Sequence, residues 1–277
     1  MPRHPDGTMR LVDSHCHLQA DRFDDDVELV IGAARLAGVE RILVPGWNAW
    51  SSEAALDLAT RYDDLDAAVG VHPHDAARVD DDEWSAIEGS ARDDRVVAIG
   101  ETGLDYDRMF SPILAQLANL RRNLALAVEI GKPAILHCRS STGEREAQDA
   151  LLAEIRRFGR EPPAVVIHSF SGPPDYAESM LELGAVISFS GLVFREGERD
   201  SAFVARRTPD DRILIETDSP FLSAPGAPRG RNEPEWVRLT ADWLVDERGA
   251  DPDELGETLL RNYDRIFRRA GAPKRPV

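Results

Sequence analysis

The stretch VVAIGETGLDYDRMFSPILAQLANLRRNLALAVEIGKPAILH, residues 96–137, sets two short apolar runs, Val96–Gly100 and Ala134–His137, around a segment of helical period. Both runs are nearly continuous in apolar residues, as expected of parallel strands covered on both faces. Between them Ile113, Leu114, Leu117, Leu120, Leu124 and Val128 recur at steps of three and four, which predicts a helix over Ser111–Ile130 with those side chains inward. Ser111 is placed to cap it, Pro112 suits its first turn, and Gly131 with Pro133 stops it. The unit is strand, helix, strand.

The same unit repeats in both directions. Further strand-like runs are Arg10–Asp13, Arg41–Val44, Ala67–Val71, Ala164–His168, Ala185–Phe189 and Arg212–Glu216. Helical periods fall near Asp25–Ala37, Ser52–Arg61, Glu144–Phe158, Asp175–Leu183, Arg199–Arg206, Pro234–Glu247 and Asp253–Ala270. Eight alternations in roughly 250 residues predict a single (β/α)8 TIM-type barrel, with an open doubly wound sheet as the competitor. Residues 9–271 are expected to form one barrel domain, with tails at 1–8 and 272–277. The Pro- and Gly-rich stretch Ser219–Glu233 directly follows the last strand and reads as a functional loop.

Composition bounds the class. The 277 residues are 42% hydrophobic, enough for a full core and too many for a disordered chain. No run approaches the ~18 consecutive apolar residues of a membrane span, and the N-terminus lacks a secretory apolar core. Two cysteines, Cys16 and Cys138, make no disulfide framework, so a reducing cytoplasm is the expected setting. With 33 basic against 50 acidic residues the formal charge is −17, and a long duplex is repelled by the surface as a whole. Any nucleic-acid substrate must be held locally, by metal ions and a few arginines.

Six of the seven histidines lie at or just after the ends of predicted strands; only His4 does not. In a barrel those ends share one mouth, where groups from different strands converge. In Asp13-Ser14-His15-Cys16-His17, alternation puts Asp13, His15 and His17 on one face, so the two imidazoles can share a metal while Ser14 and Cys16 point away. Asp13 is expected to orient an imidazole from behind, and Cys16 to be a buried structural thiol. Glu101 follows the fourth strand, and its two carboxylate oxygens can bridge two cations. His137 ends the fifth strand, His168 the sixth, and Asp218 follows the eighth. Four imidazoles and two carboxylates are many for one ion and comfortable for two. Buried together without a cation, they would be poorly satisfied.

The segments Asp-Ser-His-Cys-His-Leu (13–18), Val-Gly-Val-His-Pro-His (69–74), Gly-Glu-Thr-Gly-Leu-Asp-Tyr (100–106), His-Cys-Arg (137–139), His-Ser-Phe-Ser-Gly (168–172) and Glu-Thr-Asp-Ser-Pro-Phe-Leu (216–222) occur in one order. The ordered set resembles the TatD-related metal-dependent deoxyribonucleases, among the amidohydrolase-like metallohydrolase barrels, from about Met9 to Phe267. The resemblance implies that His15, His17, Glu101 and Asp218 bind a first divalent metal, and Glu101, His137 and His168 a second. The chain departs from the family at Trp47, where a smaller residue is usual, at Asp107 in place of an aromatic, and at Arg195 in place of a lysine. Ser140–Thr142 also stand where a small residue and an acid are usual, and the loop at Arg229 lacks a third cation.

The expected function is a divalent-metal hydrolase, first a deoxyribonuclease acting on short or single-stranded DNA ends. Asp218 would orient the attacking water and accept its proton. Arg139, Arg195, Arg229 and Arg231 suit phosphate clamping through planar donor forks. His72 and His74 either donate to a phosphate oxygen or structure the turn around Pro73. Trp47 either stacks a base or packs. The imidazole-rich set favours Zn or Mn over Mg, while the resemblance allows Mg. The alternatives are an ester or amide hydrolase, such as an aminoacyl-tRNA deacylase, and a non-enzymatic metal-bound interaction protein. Neither a membrane nor an obligatory protein partner is expected.

Overall fold

A computed structural model describes residues 9–159, 163–228 and 230–268. The expected tails at 1–8 and 272–277, His4 and Arg229 lie outside them. Eight parallel strands pair in chain order: β1 (Leu11–Asp13), β2 (Val39–Pro45), β3 (Leu65–Val69), β4 (Val96–Asp105), β5 (Ala134–Arg139), β6 (Val165–Ile167), β7 (Val186–Phe189) and β8 (Ile213–Ile215). The seam between β8 and β1 is closed just beyond the strands. Ser14 N donates to Ile215 O at 3.0 Å, Asp218 N to His15 O at 2.9 Å, and His17 N to Ser219 O at 2.7 Å. The barrel architecture is the predicted one, and its seam passes through His15, His17 and Asp218.

The outer ring comprises α1 (Val27–Leu36), α2 (Ala49–Arg61), α3 (Asp81–Ser90), α4 (Ile113–Ile130), α5 (Glu146–Phe158), α6 (Pro174–Glu182), α7 (Ser201–Arg207), α8 (Val237–Arg248) and α9 (Pro252–Phe267). Helix α3 has no counterpart in the periodicity, because its run Asp80–Glu83 is acidic and only Trp84 and Ile87 are buried. Its start is fixed instead by a capping box: Asp80 accepts from Glu83 N while Glu83 accepts from Asp80 N. Among the described residues no helix is long and apolar enough to cross a membrane.

Helix α4 corrects two expectations. Its buried face is Gln116, Asn119, Leu120, Asn123, Leu124 and Ala127, while Leu114 is 81% exposed. The stripe is rotated toward the amides because they hydrogen-bond backbone groups at the ends of β3 and β4. Asn119 donates to Val71 O at 2.7 Å, Asn123 accepts from Val71 N, and Gln116 bonds both the N and the O of Asp105. Ser111 does not cap the helix; it donates to His74 O and accepts from Ala77 N, tying down the loop after β3. The predicted stop is correct, with Gly131 left-handed at φ 65°.

Candidate metal centre

Strand β4 runs five residues past its predicted end, with a register shift against β5 between Ile99 and Thr102. Within that shift Glu101 N donates to Gly46 O, beyond the end of β2, and the carboxylate turns into the barrel mouth. Two residues on, Gly103 has φ 143°, and a Cβ there would lie 2.0 Å from the His137 carbonyl oxygen. Only glycine lets β4 and β5 approach so closely, and this contact sets the height of His137 in the mouth.

Five of the six strand-end histidines meet around Glu101, and the sixth, His74, packs against His72. On one side Oε2 lies 3.3 Å from His15 Nε2 and 3.6 Å from His17 Nε2. Those two nitrogens are 3.2 Å apart, and Asp218 Oδ1 lies 3.7 and 3.4 Å from them. On the other side Oε1 lies 2.8 Å from His168 Nε2 and 3.2 Å from His137 Nδ1, which are 3.2 Å from each other. His72 Nε2 is 3.3 Å from the same oxygen. Every predicted ligand position is thus in one pocket.

The proton inventory tests whether this set fits a cation. His17 Nδ1 donates to Pro45 O, His137 Nε2 faces Asp105 Oδ2, and His168 Nδ1 faces Glu216 Oε1. Each outer contact takes the ring proton, which leaves His17 Nε2, His137 Nδ1 and His168 Nε2 as lone pairs aimed at Glu101. His137 and His168 then oppose lone pairs at 3.2 Å across a carboxylate, an arrangement that only a positive charge between them satisfies. Ligands ~2.1 Å from a tetrahedral ion lie about 3.4 Å apart; the donor–donor distances bracket that value on the His15 side, at 3.2 to 3.7 Å, and fall short of it on the His137 side, at 2.8 to 3.2 Å. His72 differs: its Nδ1 accepts from His74 N, so its Nε2–H points at Glu101 as a donor.

Protons can supply that positive charge in place of a cation. Burial acts against an imidazolium at His168, yet Glu101 and Glu216 overcome it and hold the group well above its usual value. His17 and His137 are raised in the same way, by Asp218 and Glu101, and by Asp105 and Glu101, against burial. Burial lowers His15, and takes His72 down to about 4. Burial opposes ionisation of Glu101, but the surrounding imidazoles hold it well below the carboxylate range.

Two orienting residues escaped the sequence reading. Glu216, fully buried, accepts from His168, from Ser169 N at 2.6 Å and from Ser169 Oγ. Asp105 Oδ2 lies between His74 Nε2 at 2.8 Å and His137 Nε2 at 3.3 Å. Asp105 stands at i+4 from Glu101 on the same strand, a period-two signal that could have found it. Conversely, Asp13 does not orient an imidazole. It accepts from Thr217 N at 2.9 Å and Thr217 Oγ1 at 2.5 Å, so it locks the seam beside Asp218; burial raises it to about 8. Cys16 is a buried free thiol, as expected.

The predicted phosphate clamps divide. Arg139 pairs with Asp107 at 2.9 Å, and Arg231 is held by Asp26 and Glu233. Arg195 is exposed, with no carboxylate partner among the described residues.

Residues 12–268 match the TatD-related DNase family. A 3′-5′ ssDNA/RNA exonuclease TatD of Dickeya dadantii is 37% identical over 269 residues, spanning 93% of this chain and 98% of the relative. The Bacillus subtilis metal-dependent hydrolase YabD is 34% identical over 259 residues, spanning 93% and 99%. Among solved structures, the TatD homologue YjjV of Escherichia coli superposes with TM-score 0.83 at 30% identity, over 93% of this chain and 98% of that one. A TatD-family hydrolase from Entamoeba histolytica has the same fold, with TM-score 0.83 at 21% identity. The chain belongs to the TatD-related DNase family and is a metal-dependent hydrolase.

Proposed function

We propose that the protein is a divalent-metal phosphodiesterase that trims single-stranded DNA ends. The observation that carries the reading is Glu101, whose two oxygens face two separate donor sets. His15, His17, Glu101 and Asp218 hold one cation in this reading, and Glu101, His137 and His168 the other. When bound, such cations supply Lewis-acid activation of water and of the phosphodiester. The imidazole-rich donor set favours Zn or Mn over Mg.

The protein's own residues supply the rest. Asp218 is partly open to the mouth, placed to orient a water and accept its proton. His72, as an Nε2–H donor beside His137, steadies the ionised form of Glu101 at Oε1. Among the described residues Arg195 is the predicted clamp left free to take a phosphate; Arg139 and Arg231 must first exchange carboxylate partners for it. The acidic surface suits a short end held in the mouth better than a long duplex track. Nuclease activity among relatives supports this choice, since the Dickeya dadantii relative is named an exonuclease on ssDNA and RNA.

The test is metal analysis of the purified protein beside hydrolysis of end-labelled single-stranded DNA, with an aminoacyl-tRNA and small esters in parallel. About two metals per chain with release of nucleotides from the DNA is the expected result. Turnover of the esters alone would transfer the site to a different bond.

A further inference from the structure

Four aromatic side chains are exposed among the described residues: Trp50 at 60%, Phe110 at 59%, Phe221 at 53% and Phe203 at 40%. Phe203 lies on α7, away from the mouth. The other three border the metal centre. Phe221 is 6.1 Å from the His17 ring, Phe110 is 4.7 Å from His74, and Trp50 reaches His17 through Trp47. Trp47 lies 5.3 Å from His17 and 6.1 Å from Trp50, T-shaped in both contacts, so neither neighbour stacks flat on the indole.

The backbone that carries the two tryptophans is fixed by hydrogen bonds. Asn48 and Ser51 form a capping box at the start of α2, and the Ser51 hydroxyl accepts from both Trp47 N at 2.8 Å and Asn48 N at 2.9 Å. Asn48 is braced in turn by Asp75. A preorganised pair of large π surfaces open to water, one ring from a candidate metal ligand, calls for a flat apolar occupant. The chain carries a charge of −17, so attraction to a polyanion must be generated locally. Base stacking is such a source, and it is sequence-tolerant because every base has a π face.

We propose that Trp47 and Trp50 form a stacking platform for the unpaired nucleobase beside the scissile phosphodiester, which makes them specificity-determining residues for strands that end in an exposed base. This rests on the nuclease reading above. Trp50 is exposed, so Trp50→Ala should fold; Trp47 is half-buried, and Trp47→Leu keeps an apolar side chain there without a π face.

The metal-loaded full-length protein and both variants are compared on two single-stranded oligodeoxynucleotides that differ only in having abasic sites at their terminal nucleotides. The wild type is expected to show a KM about tenfold lower for the base-bearing strand, the scale of one stacked base. Trp50→Ala should erase that preference, with the loss in KM. Phosphorothioate-protected copies of the strands should quench tryptophan fluorescence in the wild type and less in Trp50→Ala. Equal KM for the two strands in the wild type, or a preference that survives both substitutions, overturns the platform. Should the wild type hydrolyse neither strand, the nuclease reading falls, and unequal quenching by the protected base-bearing and abasic strands still decides the stacking.

Discussion

The carboxylate of Glu216 meets the Nδ1 of His168 at 3.2 Å, with both side chains buried at the mouth of the barrel. That contact decides which ring nitrogen faces Glu101, and it makes the imidazole more basic toward a cation. Glu216→Gln can keep an oxygen toward Nδ1 while losing the charge, so metal affinity is expected to fall about tenfold. Glu216→Ala also strands Ser169 N, which now donates to this carboxylate at 2.6 Å, and should cost up to about a hundredfold. A chelator-competition titration reads both; equal affinities for all three proteins would show that His168 is oriented by something else.

Asp218 sits at φ 55°, a left-handed conformation that asparagine shares with aspartate and that branched residues resist. Asp218→Asn therefore preserves the backbone while removing the proton acceptor. Turnover of single-stranded DNA is expected to fall by about 10² to 10⁴, with Glu101-bound metal still present by elemental analysis. A fall of less than tenfold in a fully metallated variant would give the proton-accepting role to another group.

What the sequence disclosed, and what it hid, follows from the range of each interaction. Strand order and the gathering of the six candidate ligand residues were legible because hydrophobic run length and strand ends are local, and a barrel gathers all its strand ends at one mouth. Helix α3 was hidden because its start depends on the Asp80–Glu83 capping box rather than on an apolar stripe. The face of α4 was misjudged because Gln116, Asn119 and Asn123 are buried for their hydrogen bonds, not for apolar area. Asp13 illustrates the same limit: its partner Thr217 is 204 residues away across the seam, and alternation cannot reveal a partner at that distance. Arg231, expected as a phosphate clamp, has its fork taken by Asp26, 205 residues away, and by Glu233.

The acid limb of activity should depend on metal concentration. Burial opposes protonation of His17, His137 and His168, but the carboxylates around them win, so each keeps its proton above the usual imidazole range. Metal binding must displace those protons, and falling pH weakens it from a point above the reference value of about 6.5. Raising the metal concentration tenfold is expected to shift the acid limb of the pH–rate profile to lower pH. A limb that stays fixed across metal concentrations would belong to a group outside the ligand set.

The opposite end of the barrel offers a control in which stability and chemistry separate. Asp66, near the start of β3 and 1% exposed, is paired with Arg268 at 2.6 and 2.7 Å and accepts from Tyr263 Oη at 3.0 Å. It lies at the N-terminal ends of the strands, where a barrel carries stability rather than catalysis. Arg268→Ala leaves a buried carboxylate with one neutral donor, and breaking such a pair costs about 3 kcal/mol. Tyr263→Phe removes a single hydrogen bond and should cost about 1 kcal/mol. Urea unfolding should resolve the two, with turnover per folded molecule equal to the wild type in both. A selective loss of turnover in Arg268→Ala would mean that the floor of the barrel is coupled to the metal centre through β3, whose far end leads into the loop of His72 and His74.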